Sequence, residues 1–316
     1  MLLSLIIPCF NEEDVLKLFM ERTSAVVKTI REKFGAETEY IFVDDGSSDA
    51  TLRILRDFHA ENEAVHYISF SRNFGKEAAM YAGLKASAGD YTAIMDADLQ
   101  DPPELLIQMM EILSENRADC AAARRMDRKG EPVIRSWFAR RFYSIVNRSK
   151  DPDLVEGVRD YRMMNRQMVN AVLSISEYNR FSKGIFAWVG FRTEWIPYEH
   201  ADRAAGKTKW SFRSLLHYGI DGLIGYTVKP LEIAAWLGLI FFGLSMIGIL
   251  FIIVRKLAFG DPVAGWPSLV CIILFCSGIQ LFCTGIIGEY LAKVYLEVKN
   301  RPVYIVQETD QMLQKL

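Results

Sequence analysis

Two stretches of 22 residues, Ile233–Val254 and Pro267–Gly288, carry no Asp, Glu, Lys or Arg. At about 1.5 Å per residue, a helix of that length spans roughly the 30 Å hydrocarbon core of a bilayer. Soluble folds rarely bury two such helices on every side, so the pair reads as a membrane-crossing hairpin. Two crossings bring the chain back to its starting side. Lys229, Lys293, Lys299 and Arg301 then lie on the cytoplasmic side, as the excess of Lys and Arg in cytoplasmic loops requires. Arg255 and Lys256 in the connecting loop oppose this weakly. Met1–Pro8 is short for a secretory signal and has no basic n-region, so the residues before the hairpin are expected in the cytoplasm. The five cysteines (Cys9, Cys120, Cys271, Cys276, Cys283) show no paired spacing and read as small hydrophobes in a reducing compartment. The four histidines show no zinc spacing.

The first hundred or so residues alternate in period. Leu2–Pro8 is a β-rich apolar run, and Asn11–Asp14 is expected to cap a helix whose Val15, Leu18, Phe19, Val26 and Ile30 share a side, ending at Gly35. Tyr40–Val43 is the next strand, closed by Asp44-Asp-Gly-Ser-Ser-Asp49, with a helix carrying Leu52, Ile54, Leu55 and Phe58 behind it. Val65–Phe70 is a third strand and leads through Asn73-Phe-Gly-Lys76 into an alanine-rich helix that stops at Gly89. Tyr91–Met95 is a fourth strand, and Asp101-Pro-Pro-Glu104 starts a helix with proline in its permitted first turn. Such alternation implies an α/β fold with a mostly parallel sheet, whose ligand site lies beyond the carboxyl ends of the strands. Those ends carry Asn11, Asp44, Asp45, Asn73, Lys76, Asp96 and Asp98, so every strand delivers polar groups to one rim.

The fourth strand is the most informative of the four. Its apolar run stops at Asp96-Ala-Asp98, and two carboxylates released together at a strand end make a seat for a divalent cation. Mg²⁺ is usually held by one or two carboxylates plus substrate phosphates, so such a cation points to a diphosphate. Between Arg124 and Lys150 nine Lys or Arg residues face only Asp127 and Glu131, interleaved with Trp137, Phe138, Phe142 and Tyr143. This pattern reads as an amphipathic segment on an anionic membrane surface. Nucleic acid is not the expected partner, because the chain's net charge is −2 and it carries the hairpin. Ser211–Thr227 reads as a second interfacial helix leading to Pro230.

Six segments, taken in order, resemble one family. They are Ile7-Pro-Cys-Phe-Asn-Glu-Glu13, Val43-Asp-Asp-Gly-Ser-Ser-Asp49, Ser71-Arg-Asn-Phe-Gly-Lys76, Met95-Asp-Ala-Asp-Leu-Gln-Asp-Pro-Pro103, Arg159-Asp-Tyr-Arg162 and Arg203-Ala-Ala-Gly-Lys-Thr-Lys-Trp210. With the two spans, they resemble the membrane-anchored family 2 glycosyltransferases that load a sugar onto a polyprenyl phosphate, of the bactoprenol glucosyltransferase and dolichol-phosphate mannosyltransferase type. The resemblance implies a GT-A nucleotide-sugar-binding domain over residues 1–210 and an interfacial helix over 211–229. Two transmembrane helices over 230–291 and a cytoplasmic C-terminal tail over 292–316 complete the expected organisation. It also implies a multi-pass protein of the inner (cell) membrane with its catalytic domain in the cytoplasm.

The resemblance gives roles to particular residues. Pro8, Asn11, Glu13, Asp44 and Asp45 would form the uridine pocket, although Asn11 as a helix cap and Asp45-Gly46 as a plain turn are the simpler accounts of each alone. Asn73 and Lys76 join the nucleotide-sugar site. Asp98 would bind Mg²⁺ or Mn²⁺ directly, with Asp96 on the ribose or the metal and Gln100 completing an all-oxygen shell. Asp101 fits a helix N-cap before Pro102 and is left out of the site. A lipid phosphate is already an anion and a nucleophile, so Asp160 is expected to orient acceptor or sugar more than to act as a base; a surface ion pair with Arg159 or Arg162 is the bland account. Cations must let two anions approach. Arg203, Lys207 and Lys209 are candidates for the diphosphate and acceptor phosphate, with Arg125, Arg135 and Arg140 beside them, and Trp210 reads as an interface anchor.

The expected reaction moves a sugar from a nucleotide sugar, UDP-glucose or UDP-N-acetylglucosamine first, to undecaprenyl or another polyprenyl phosphate, with inversion. A processive polysaccharide synthase is the competing enzyme; against it, Arg203…Lys209-Trp210 stands where such enzymes carry Gln-x-x-Arg-Trp, and two spans are few for a polymer channel. A non-catalytic nucleotide-binding membrane scaffold is the third reading. Gly238, Gly243 and Gly248 would allow close helix packing and a homo-oligomer.

Overall fold

A computed structural model describes residues 1–125, 158–198, 229–259 and 265–310. It divides the chain into two units, Met1–Leu216 with Arg301–Leu316, and His217–Asn300.

In the first unit, β1 (Leu2–Cys9) pairs in parallel with β2 (Glu37–Asp44), which pairs in parallel with β3 (Val65–Phe70), while β4 (Tyr91–Ile94) joins the other side of β1 in parallel. Leu3, Leu5, Ile6, Ile7, Ile41, Phe42 and Val43 are buried whichever way they point, because helices cover both faces of a parallel sheet. Each such side chain contributes about 1.5–3 kcal/mol by leaving water. The covering helices are α1 (Leu16–Phe34), α2 (Thr51–Glu61), α3 (Lys76–Ala86) and α4 (Leu105–Ser114). On α1 the buried residues are Leu16, Phe19, Thr23, Val26 and Ile30, spaced by three and four as one helix face demands. Gly35 ends it in the left-handed region at φ 64°, its N–H donating to the Arg31 carbonyl at 2.9 Å.

Three local expectations are corrected. Leu18 is 42% exposed, on the outer face of α1. Asn11–Asp14 do not cap this helix, which begins at Leu16 without a side-chain cap; Asn11 and Glu13 are committed to the neighbouring loop instead. The prolines before α4 lie outside it, in tight turns where the N–H groups of Leu105 and Leu106 reach the carbonyls of Pro102 and Pro103 at 3.2 and 3.0 Å.

The sheet continues with β5 (Cys120–Arg125), β6 (Val158–Asn165) and β7 (Thr193–Tyr198), and helices α5 (Arg166–Ser174) and α6 (Ser182–Trp188) follow β6. Strand order is β7-β5-β6-β4-β1-β2-β3-β8, with β6 antiparallel to β4 and β5. The register Ile94↔Arg162, carried two residues further, sets Asp96 opposite Asp160.

The eighth strand, β8 (Val306–Thr309), lies antiparallel to β3. The expected tail over 292–316 is therefore partly structured: it starts inside a helix and then supplies an edge strand. Tyr304 stacks on Phe70 with ring centroids 4.9 Å apart, Glu308 pairs with Arg56, and the Tyr67 N–H donates to the Asp310 carboxylate at 3.0 Å.

The second unit holds α7 (Lys229–Phe259) and α8 (Trp266–Val298). Pro230–Gly248 and Phe275–Val298 are long and apolar enough to cross a membrane. Among the described residues nothing buries them as core helices: 6% and 0% of their apolar windows are buried, and Trp236, Leu239, Ile247, Phe251 and Leu281 are all more than half exposed. So large an apolar surface needs a cover. Phe241 and Phe275 meet edge to face at 5.4 Å. A Cβ at Gly238, Gly243 or Gly248 would meet nothing within 4 Å, so the packing of α7 on α8 does not use these glycines. The interfacial helix expected over 211–229 lies outside the described residues except for Lys229, which opens α7.

Candidate active site

The carboxyl ends of the parallel strands release three loops that are laced to one another. Asn11 sits in the left-handed region at φ 54°, which Asn tolerates, and its side-chain Oδ1 accepts the Ser48 N–H at 2.8 Å while its backbone N–H donates to Ser47 Oγ at 2.9 Å. Glu13 accepts the Ala50 N–H at 2.7 Å. Asp44 accepts the Ser47 N–H at 3.0 Å and the Ser69 hydroxyl at 2.7 Å; Asp45 accepts the Phe74 and Gly75 N–H groups at 2.6 and 2.9 Å. Both carboxylates are buried. Burial pushes Asp45 up, against the two N–H groups that hold it down. Their visible work is to shape the loops. Pro8 pairs opposite Val43 near the strand ends, and Asn73 is exposed on the third loop, its carbonyl accepting from Arg72 at 2.9 Å.

Gly46 is what lets the second and third loops touch. At φ +67°, a Cβ there would lie 2.4 Å from the Arg72 carbonyl carbon and 2.8 Å from the Asn73 nitrogen, both backbone atoms that cannot swing aside.

On the other side of β1, Lys76 at the start of α3 places its ammonium 2.7 Å from Asp96 and 2.8 Å from Asp160. Burial pulls the Lys76 pKa down, but the Asp160 and Asp96 charges outweigh it and hold the group charged. Burial likewise raises Asp160, and Lys76 with Lys183 overcomes this, leaving its pKa well below the ordinary carboxylate range. The partner of Asp160 is thus Lys76 from another strand end, and Arg162 turns its guanidinium onto the Phe186 ring, 3.8 Å from the centroid.

Asp98 stands in a tight turn. Its carboxylate accepts the Gln100 N–H at 3.1 Å across Leu99, a buried residue at φ 55°. A left-handed leucine costs about 1–2 kcal/mol, which the burial of Leu99 and the Gln100 N–H bond to Asp98 help to offset. Gln100 accepts from Arg159 at 3.4 Å. Asp96 and Asp98 offer carboxylate oxygens and Gln100 an amide oxygen, the donor class that Mg²⁺ or Mn²⁺ takes, with Asp96 paired to Lys76 and Gln100 to Arg159 in this structure.

Two acids that carry more than the sequence suggested complete the rim. Asp101 does not cap α4, whose N-cap is Glu104 without a side-chain bond. It is buried, accepts the Tyr198 hydroxyl and lies 3.7 Å from Arg159, while Tyr161 donates to the Pro102 carbonyl at 3.1 Å beside it. Burial raises Asp101, and Arg159 opposes this. Glu77, beside Lys76, accepts the Ser182 N–H at 2.9 Å and its hydroxyl. Burial and then the Asp160 charge push its pKa up to about 7. Neither role has a local signature, since each is set by a partner about a hundred residues away.

Of the candidate cations, Arg125 closes β5 opposite Tyr198 of β7, its Nε buried without a hydrogen-bond partner among the described residues. Arg135, Arg140, Arg203, Lys207 and Lys209 lie outside the described residues, as does the basic segment after Arg125.

The family model described as Glycosyl transferase family 2 matches residues 4–173. A Bacillus subtilis (strain 168) protein named "Putative glycosyltransferase CsbB" is 41% identical over 309 residues, covering 98% of this chain and 92% of its own. The SfII prophage-derived bactoprenol glucosyl transferase of Shigella flexneri is 37% identical over 309 residues, 98% of either chain. Among solved structures, the mannosyltransferase PcManGT of Pyrobaculum calidifontis, in complex with GDP-Man and Mn²⁺, aligns with a TM-score of 0.45 at 13% identity, over 92% of this chain and 86% of that one.

Proposed function

Starting from the fact that this chain belongs to glycosyl transferase family 2 and is a glycosyltransferase, we propose that it transfers one sugar from a nucleotide sugar to a polyprenyl phosphate at a membrane. UDP-glucose is the first candidate donor and UDP-N-acetylglucosamine the second. The observation that carries the acceptor is the 37% identity, end to end, with a protein named as a bactoprenol glucosyl transferase.

The site supports this reading. The laced loops at Asn11, Asp45 and Asn73 suit a nucleotide, and the acidic turn at Asp96 and Asp98 suits its diphosphate through a divalent ion. Bound there, Mg²⁺ or Mn²⁺ would offset the charge that builds on the departing diphosphate. Lys76 adds a fixed ammonium beside it, an electrostatic aid already organised before reaction. A general base works best with a pKa near the operating pH. Asp160, held strongly ionised, is poorly suited to that task and well suited to orienting a sugar hydroxyl. A phosphate acceptor needs no base. Attack from the face opposite the nucleotide inverts the anomeric carbon, giving a β-linked product from an α-linked donor. Arg125, Arg135, Arg140, Arg203, Lys207 and Lys209 are the proposed phosphate-binding cations.

The chain up to Leu216 and from Arg301 belongs to one compact unit, which supports a hairpin that leaves and re-enters a bilayer on the same side. The positive residues at its ends favour the cytoplasm for that side.

The test is transfer itself. Membranes containing the chain are incubated with labelled UDP-glucose, UDP-N-acetylglucosamine, UDP-galactose or GDP-mannose, undecaprenyl phosphate and Mg²⁺ or Mn²⁺. A labelled monosaccharide extractable with lipid, lost in D98A, is expected. No such product from any donor rejects the proposal, and a long polymer replaces it with processive synthesis.

A further inference from the structure

Away from the carboxyl-end rim, near the amino end of β3, His59 of α2, His66 of β3 and Asp310 just after β8 converge. One ligand atom from each lies within 4.8 Å of the other two. We propose that these three side chains bind a divalent ion of the zinc class, which fastens the segment following the second apolar helix to the catalytic sheet.

Four observations carry this. First, His66 and Asp310 are closed to water, with side chains 5% and 0% exposed, and among the described residues His66 Nδ1 faces the Asp310 carboxylate without an aligned hydrogen bond. A buried polar atom so poorly satisfied is costly, and a metal ion between the two groups would satisfy both. Second, Nδ1 lies 3.2 Å from Asp310 Oδ2. Two donors at about 2.0–2.1 Å from a tetrahedral zinc ion are separated by roughly 3.3 Å, so this pair already stands at ligand spacing. Third, His59 Nδ1 is 2.6 Å from the Val65 carbonyl, which only accepts, so Nδ1 carries the proton and the lone pair is on Nε2. A second-nitrogen bond to a backbone carbonyl is the usual way a ligating imidazole is held in its tautomer. Fourth, the Asp310 carboxylate is itself positioned, accepting the Tyr67 N–H at 3.0 Å.

His59 is half-buried, and its ring centroid is 6.2 Å from that of His66, so it is the ligand that closes inward on binding. Two imidazoles and one carboxylate leave the fourth tetrahedral position for water. The donor set, nitrogen-rich, differs from the all-oxygen set at Asp96 and Asp98 and selects a different ion.

Full-length protein in detergent is loaded with Zn²⁺ and dialysed against metal-free buffer. One zinc retained per chain is expected, together with a higher Tm than the chelator-treated protein and, with Co²⁺ instead, the intense visible bands of tetrahedral coordination. His66→Gln and His59→Gln should lose all three signals, and D98N should keep them. Because His66 is buried, His59→Gln at the half-buried helix position is the deciding variant. Zinc that dialyses away from the wild-type chain, or that His59→Gln retains in full, overturns the site and leaves a His66–Asp310 ion pair.

Discussion

The ammonium of Lys76 lies 2.8 Å from the carboxylate of Asp160, a residue 84 positions later in the chain. With Asp96 as its second partner, Lys76 ties the acidic loop after β4 to the antiparallel strand beside it. Replacing Lys76 by Met leaves two carboxylates facing one another with no cation between them. Transfer should fall by about 10²–10³-fold, the usual loss when one preorganised electrostatic group is removed. Initial rates of labelled-lipid formation measure this, and K76R, which keeps the charge, should recover part of it.

Asp98→Asn keeps the shape of the turn and removes the charge. If the carboxylate holds the ion, the several kcal/mol that a bound cation supplies in the transition state are forfeited, which is at least about a 10²-fold drop in rate. Raising Mn²⁺ should restore part of the D98N rate, and a titration that leaves the two proteins with the same metal dependence would remove Asp98 from the ion.

Glu77 gives stability a pH dependence of definite sign. Its folded pKa of about 7 lies above the ordinary 4.5, so the folded state holds a proton that the unfolded chain gives up. Below about 4.5 both states are protonated and the contribution is whole; it is lost as pH rises towards and through 7. Glu77→Gln should therefore melt at nearly the same temperature as wild type at pH 4.5 and higher than wild type at pH 8. Asp160→Asn should shrink the difference, because the Asp160 charge is the second cause of the shift.

Gly46→Ala adds one methylene-sized group against the backbone of Arg72 and Asn73, at a φ that L-residues resist. The strain is about 1–3 kcal/mol, and the loop must move to relieve it. Expected results are a lower Tm and weaker binding of UDP in calorimetry, with D45N weakening binding in the same direction because Asp45 fastens the same loop through the Phe74 and Gly75 N–H groups.

What the sequence made legible follows physical range. The strands and helices up to Ser114 came from short β-rich apolar runs and 3.6-residue periods, which any short window contains. Asn11, Lys76, Asp96 and Asp98 were found as strand-end residues because a parallel sheet sends all such ends to one rim. Asp101 was misread as a helix cap since its real partners, Tyr198 and Arg159, are set by folding rather than by neighbours. Leu18 was misassigned because a run of apolar residues around it blurs the face by one position. Strand β8 went unread: Val303-Tyr-Ile-Val306 is a short β-rich run, but its pairing with β3 comes after an excursion of more than two hundred residues.

That late strand yields a prediction in which packing and charge can be weighed. Tyr304 stacks on Phe70 at 4.9 Å, a fully buried ring, whereas the Arg56–Glu308 pair is close but half exposed, at 49% and 34%. Exposed ion pairs contribute about 0–1 kcal/mol, and loss of a partly buried aromatic costs about 1–3 kcal/mol, so packing should dominate. Tyr304→Ala should free the segment after Arg301, seen as faster protease cleavage there and faster amide exchange along β3, while Arg56→Ala should change both by little. Equal effects would mean that the charged pair, rather than the stacked rings, holds the returning strand to the sheet.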